Sequence, residues 1–143
     1  GLKDQELTNA MKEQISTNFL QIIPNANLSN IEGCTESLGT VLYIQGKNHD
    51  SYKYDAVTTG RVIHYMVLDM IKKNPSISQH GCVMINNMEG MGLGNVDKAL
   101  PEVMDGDVQR WLPLRLLQGM VCNPPFIVRF LIPIMKMRGN FNN

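Results

Sequence analysis

At 143 residues the chain is long enough for one domain, and its 13 Lys and Arg residues balance 13 Asp and Glu residues. This balance excludes an overall field that would recruit nucleic acid, so no nucleic-acid partner is expected. The longest apolar stretch, 124–137, is shorter than the roughly 20 residues of a membrane-spanning helix, and the N-terminus resembles no secretory signal. We therefore expect a cytoplasmic protein without a membrane span.

The N-terminal part predicts a helix followed by a loop. Apolar residues spaced four apart from Leu7 to Phe19 predict an amphipathic helix over 3–23, which Pro24 ends. The following stretch, 25–39, is rich in Asn, Ser and Gly and is typical of a loop.

Strands and helices alternate along the rest of the chain. Short β-branched or apolar runs predict strands at 40–45, 81–88 and 115–122. An apolar stripe predicts a helix over 55–73, and a polar, helical piece that ends at Trp111 joins the second strand to the third. Buried strands joined by helical crossovers predict an α/β fold with a parallel sheet.

The segment 126–137 predicts a helix that is apolar over nearly its whole circumference and is kinked at Pro133. A core helix would fit this composition. However, Arg129, Lys136 and Arg138 accompany the apolar residues and no acidic residue lies near them. An apolar helix with local positive charge favours an element that lies at a membrane surface.

Catalytic and metal-binding alternatives have little support in the sequence. Cys34, Cys82 and Cys122 are an odd number without metal-ligand spacing, which argues against a disulfide framework or a zinc site and suits a reducing compartment. No Cys–His arrangement for nucleophilic catalysis and no paired carboxylates in an apolar setting are visible. We therefore predict a protein that is not an enzyme and has no cofactor and no metal.

The glycine cluster at 90–94 follows a predicted strand and has to be weighed as a dinucleotide-binding fingerprint. The third glycine of that fingerprint belongs at position 95, which is Asn95, and the next strand ends in Cys122 rather than in an acid. The cluster therefore favours a flexible turn, in which glycine supplies positive φ angles.

Four short elements follow one another in the second half of the chain. They are Asn87-Met88-Glu89-Gly90 at a strand end, Trp111-Leu112-Pro113-Leu114-Arg115 entering the next strand, Asn123-Pro124-Pro125-Phe126 after it, and Lys136 about ten residues later. In order and spacing they resemble the CRAL-TRIO lipid-binding family, which includes retinaldehyde-binding, tocopherol transfer and phosphatidylinositol transfer proteins. The looser resemblance extends back to about Thr40, which divides the chain into an N-terminal helix and loop, 1–39, and a CRAL-TRIO-like domain, 40–143.

The resemblance implies a mostly parallel sheet flanked by helices, with 126–137 as an apolar gate helix that closes a hydrophobic pocket over the sheet. Family members continue with a further strand pair and helix, so the C-terminal part of the usual domain is expected to be missing. The absence of an initial methionine also predicts a piece of a longer protein. Unpaired strand edges and an uncovered apolar helix then predict that a companion piece joins the fold, or that two copies associate through 126–137.

The implied function is noncatalytic binding and intermembrane transfer of a small hydrophobic lipid, such as a retinoid, tocopherol, sterol or acyl lipid, by a protein peripheral to membranes. The alternative is a divergent member that has lost its ligand and binds proteins, such as small GTPases or organelle proteins. Arg129 and Arg138 are the predicted membrane contacts. The predicted ligand-binding residues are Val83, Ile85, Leu117, Phe126, Ile127, Phe130, Leu131, Ile134 and Lys136.

Departures from the family narrow the predicted ligand. Asn87 stands where the strand-end motif of the family has Asp, and Leu114 stands where phosphatidylinositol-binding members have an acid. Of that headgroup pair only Lys136 is present, and it is followed by Met137 and Arg138 where the family usually has Pro and Phe. A neutral or simple apolar ligand is therefore expected rather than a phosphoinositide.

Overall fold

The computed structural model describes residues 7–103, 113–126 and 129–130. The strands of these residues form one sheet in the order β1-β2-β3-β4, in which β2, β3 and β4 are parallel and β1 is antiparallel to β2. The α/β class and the mostly parallel sheet are thereby confirmed. The strands are β1 (Leu20–Asn27), β2 (Leu38–Gln45), β3 (Cys82–Asn87) and β4 (Leu116–Cys122).

The longest helix of the described residues is α2. Its N-cap is Asp55, whose carboxylate accepts a hydrogen bond from the Thr58 backbone N–H at 2.7 Å. This hydrogen bond lowers the pKa of Asp55. The predicted helix over 55–73 is therefore confirmed to within a residue. The helices are α1 (Asn9–Ser16), α2 (Ala56–Lys73), α3 (Ile77–His80) and α4 (Leu100–Val103), and single turns of 3-10 helix lie at Gly46–Asn48 and Leu93–Asn95.

The predicted helix over 3–23 is wrong beyond Ser16, where α1 ends. The Thr17 hydroxyl donates to the Gln14 carbonyl oxygen at 2.6 Å, and Asn18 adopts a φ of 57°. Asparagine tolerates this left-handed conformation better than most residues, and it turns the chain out of the helix.

Strand β1 replaces the end of the predicted helix and the start of the predicted loop. Pro24 lies within it, and an edge strand tolerates proline because its outer N–H groups need no partner in the sheet. Asn25 has a φ of 55°, and the register shifts between Ile23 and Ala26, which marks a β-bulge. The apolar spacing of four is ambiguous here, because positions four apart also share one face of a strand.

One side of the sheet, the helical face, packs against α1 and α2. Gln14 Nε2 of α1 donates to the Thr59 hydroxyl of α2 at 2.8 Å, which ties the two helices together. Burial raises the pKa of the Cys82 thiol to about 11, so this cysteine is a packing residue rather than a nucleophile. The strand residues of the helical face are Leu20, Ile22, Leu42, Ile44, Cys82 and Met84, and the fully covered helix residues are Met11, Val62, Ile63 and Val67.

Candidate functional site

The opposite side of the sheet, the loop face, consists of alternate residues of the same strands. Val41 pairs with Val83 and Tyr43 pairs with Ile85, which in turn pairs with Met120. The segment 28–37 between β1 and β2, the β1–β2 loop, packs on this face through Leu28, Ile31 and Cys34. The strand residues of the loop face are Ala26, Val41, Tyr43, Val83, Ile85, Leu117 and Met120.

The cover over the loop face is uneven along the strands. Near the amino ends of the parallel strands, Val41 and Val83 are buried together with Leu28. Toward the carboxyl ends, Tyr43 and Ile85 are only half-buried. The described residues therefore leave an apolar surface at the carboxyl half of this face that is partly accessible.

The β1–β2 loop is held over the amino half of the face by two contacts with the start of β4. The Arg115 guanidinium donates to the Glu36 carboxylate at 3.0 Å. Gly33 has a φ of 80° and lies against Gln118, where a Cβ would come 3.5 Å from the side-chain oxygen. The β1–β2 loop therefore covers the amino half of the loop face and not its carboxyl half.

Three polar side chains meet at the carboxyl ends of β2, β3 and β4. Asn87 Nδ2 donates to the Tyr43 hydroxyl oxygen at 2.8 Å, and Asn123 Nδ2 donates to Asn87 Oδ1 at 3.3 Å. Asn123 holds a φ of 52° directly after β4. The sequence reasoning missed this set, which we call the polar edge, because it depends on strand register. The available signal was the alternation of side chains along β2, which places Tyr43 on the same face as Val41.

Residues 28–139 match the CRAL/TRIO domain, so the match spans the β1–β2 loop, strands β2 to β4 and the polar edge. The chain belongs to this family. Lipid binding and transfer are general functions of CRAL/TRIO domains. No curated protein matches the chain significantly. The predicted division of the chain at residue 40 stays a prediction.

Within this CRAL/TRIO domain, the chain leaves the sheet at Asn123 and enters a helical segment at Phe126. The Phe126 and Phe130 rings pack edge to face, 5.3 Å apart, while 74% and 67% of the two residues stay exposed. Arg129 is exposed and its Nε donates to the Pro124 carbonyl oxygen at 3.1 Å. Exposed aromatic rings beside a cation are typical of a surface that meets an apolar partner or a membrane.

The structure brings three predicted ligand-binding residues together, because Val83, Ile85 and Leu117 all lie on the loop face. Val83 is fully buried there, whereas Ile85 and Leu117 are partly exposed. Most of the predicted gate helix lies outside the described residues, and its position over the loop face stays a prediction. The predicted site residues outside the described part of the chain are Ile127, Leu131, Ile134, Lys136 and Arg138.

The glycine cluster at 90–94 is a turn and does not open a long helix. Asn95 Oδ1 accepts from the Gly92 N–H at 2.8 Å, and Asn95 Nδ2 donates to the His49 carbonyl oxygen at 2.7 Å. The Gly94 carbonyl oxygen accepts from the Ser51 hydroxyl at 2.8 Å. A dinucleotide site would need free N–H groups at the start of a helix, so this geometry favours the predicted turn.

Residues 7–103, 113–126 and 129–130 offer neither a metal site nor a membrane-spanning helix. No group of three or more His, Cys, Asp or Glu side chains there could hold a metal ion. In the same residues no helix is both long and apolar enough to cross a bilayer. The candidate site consists of the loop face and the polar edge.

Proposed function

We propose that this CRAL/TRIO domain binds a small uncharged lipid on the carboxyl half of the loop face, without catalysis, and carries it between membranes. One observation supports the proposal most strongly: Tyr43, Ile85 and Met120 form a half-buried apolar surface in a family of lipid-binding domains. None of the four strands contains a Lys, Arg, Asp or Glu residue. Such a surface suits an apolar lipid tail. It has no cation that could pair with an anionic headgroup.

The energetics of such a site favour exchange rather than permanent capture. Burying one methylene group out of water is worth about 0.8 kcal/mol, so ten methylenes give roughly 8 kcal/mol. Compared with a bilayer, the same burial gains close to nothing, because the tail is already in an apolar surrounding. The lipid would therefore leave and enter membranes reversibly, and selectivity would come from shape and a few polar groups.

The segment 126–137 supplies the cover in this proposal. The exposed Phe126 and Phe130 rings stand at its beginning, directly after the polar edge. Over the loop face this segment would shield the bound tail, and turned outward its apolar side would enter a membrane surface. The predicted membrane contacts Arg129 and Arg138, together with Lys136, would add attraction to anionic headgroups. In this account the protein works at the cytoplasmic surface of membranes without spanning them.

Phe130→Asp tests the proposal, since it places a charge in the proposed cover. Lipid extracted from phosphatidylcholine vesicles carrying a long-chain apolar probe is quantified by native mass spectrometry. The matched control is Tyr52→Asp, because Tyr52 is also an aromatic residue, is 85% exposed and lies outside the strands. We expect Phe130→Asp to abolish extraction, while the circular dichroism of both variants and extraction by Tyr52→Asp stay as in the parent protein.

Extraction by Phe130→Asp at the parental level would contradict the proposed cover. Absence of extraction by the parent protein would contradict lipid binding itself. The protein-interaction alternative would then be the one to pursue, with the exposed Phe126 and Phe130 rings as its surface.

A further inference from the structure

The hydrogen-bond direction within the polar edge can be read from one backbone contact. The Glu89 backbone N–H donates to the side-chain oxygen of Asn87 at 3.1 Å. A backbone N–H group can only donate, so the Asn87 atom that faces Glu89 must be the oxygen. The other side-chain atom of Asn87, which lies 2.8 Å from the Tyr43 hydroxyl, is therefore the nitrogen.

This direction determines the role of the Tyr43 hydroxyl. The Asn87 side-chain nitrogen has only protons to offer, so the Tyr43 oxygen must accept in that contact. Its own proton then has to point to another atom. Among the described residues the Tyr43 hydroxyl donates no hydrogen bond. Within the described residues, Tyr43 thus presents an unused donor on an otherwise apolar surface formed with Val41 and Ile85.

An unused donor on an apolar floor loses its hydrogen bond to water once a lipid covers it. A purely hydrocarbon ligand would leave this proton unpaired, which disfavours binding, whereas an oxygen at the right position would restore the bond. The strands supply no charged side chain that would offset the dehydration of an anion. The matching group is therefore an uncharged acceptor, such as a ketone, aldehyde or ester carbonyl.

We propose that Tyr43 is a specificity-determining residue whose hydroxyl donates a hydrogen bond to the carbonyl oxygen of an uncharged lipid. This inference rests on the proposed lipid binding and adds the class of ligand and its orientation. The carbonyl lies at the polar edge, and the tail runs over Ile85 toward the part of the face that Leu28 closes. Asn87 is a positioning residue, because it turns the Tyr43 proton toward the ligand.

The test compares two probes that differ in one group, 2-heptadecanone and heptadecane. Each is loaded into phosphatidylcholine vesicles, and the amount bound to the separated protein is measured by mass spectrometry. Tyr43→Phe removes only the donor. Tyr65→Phe is the matched control, because Tyr65 is also partly buried but packs with the core of the helical face. We expect Tyr43→Phe to lower ketone binding about five- to tenfold, as for one lost hydrogen bond, with heptadecane binding unchanged. Tyr65→Phe should change neither.

A second measurement needs no variant. The infrared carbonyl stretch of carbon-13-labelled 2-heptadecanone bound to the parent protein should lie below its value in hexane, since a hydrogen bond to the oxygen weakens the C=O bond. An unshifted stretch would overturn the inference even if Tyr43→Phe did not fold.

The outcomes separate this inference from the proposed function. If the parent protein binds neither probe, lipid binding fails and the role of Tyr43 fails with it. If it binds both probes, and Tyr43→Phe lowers binding of both equally or of neither, lipid binding stands and the role of Tyr43 is overturned.

Discussion

The two faces of the sheet are built from neighbouring residues of the same strands but differ in how they are covered. On the helical face, Leu42 is 2% exposed and the opposing Val67 of α2 is 1% exposed. On the loop face, the adjacent residue Tyr43 and its strand partner Ile85 are half-buried. A change of one position along β2 therefore leads from a closed core to a partly accessible surface. We infer that the helical face supplies stability and the loop face supplies binding.

The largest expected effect is the loss of stability on the helical face. Leu42→Ala should lower the free energy of unfolding by about 2–5 kcal/mol, because it leaves a cavity in a fully covered core. Ile85→Ala should lower it by less, because Ile85 is already partly exposed, but should reduce lipid extraction. Urea denaturation and vesicle extraction of both variants check this pair of results. Equal losses of stability would contradict the division between the faces.

A second prediction concerns self-association. If no companion piece completes the fold, two copies are expected to associate through the 126–137 segment, burying a largely apolar interface above about 1,000 Å2. Phe130→Asp should weaken this association because it places a charge beside Phe126, and Tyr52→Asp should not. Sedimentation at low micromolar concentration measures both. A parent protein that stays monomeric at this concentration would contradict the predicted association.

The third prediction tests the attraction of three cationic residues, Arg129, Lys136 and Arg138, to anionic membranes. Changing Arg129, Lys136 and Arg138 to Gln should remove about 1 kcal/mol of attraction to an anionic surface per residue. Lipid transfer to anionic acceptor vesicles should slow, while transfer to neutral vesicles should not. Equal slowing with both acceptors would indicate damaged packing instead of lost electrostatic attraction.

The smallest expected effect is a pH dependence of stability that comes from His64 in α2. Burial lowers the pKa of His64 in α2, and its Nε2 has no hydrogen-bond partner among the described residues. The His64 side chain is neutral in both the folded and the unfolded chain well above a pH of about 6.5. As the pH falls through that value, the unfolded chain takes up a proton before the folded one, so stability decreases until the lowered pKa is passed. His64→Asn should show a smaller decrease in urea midpoint between about pH 7 and about pH 5.5. Parallel curves for the two proteins would contradict this role.

The sequence predicted the closed part of the fold better than the site. Strands β2 to β4 are short apolar runs and helix α2 carries a clear apolar stripe, and their predicted positions are confirmed within about three residues. Strand β1 was missed because its apolar spacing also fits a helix and because Pro24 suggested a break. The residues of the loop face were predicted in part, through Val83, Ile85 and Leu117. The polar edge could not be predicted, since Tyr43, Asn87 and Asn123 come together only through the register of three strands.

The proposal places the lipid on the loop face of the sheet and not on the helical face. Photo-cross-linking tests it most directly, with a lipid that carries a diazirine in its acyl chain and with labelled residues identified by peptide mass spectrometry. We expect labels on Ile85, Met120 and Tyr43 and none on Met11 or Val67, which pack on the helical face. Labels on these two helix residues, or on Tyr52 alone, would contradict it.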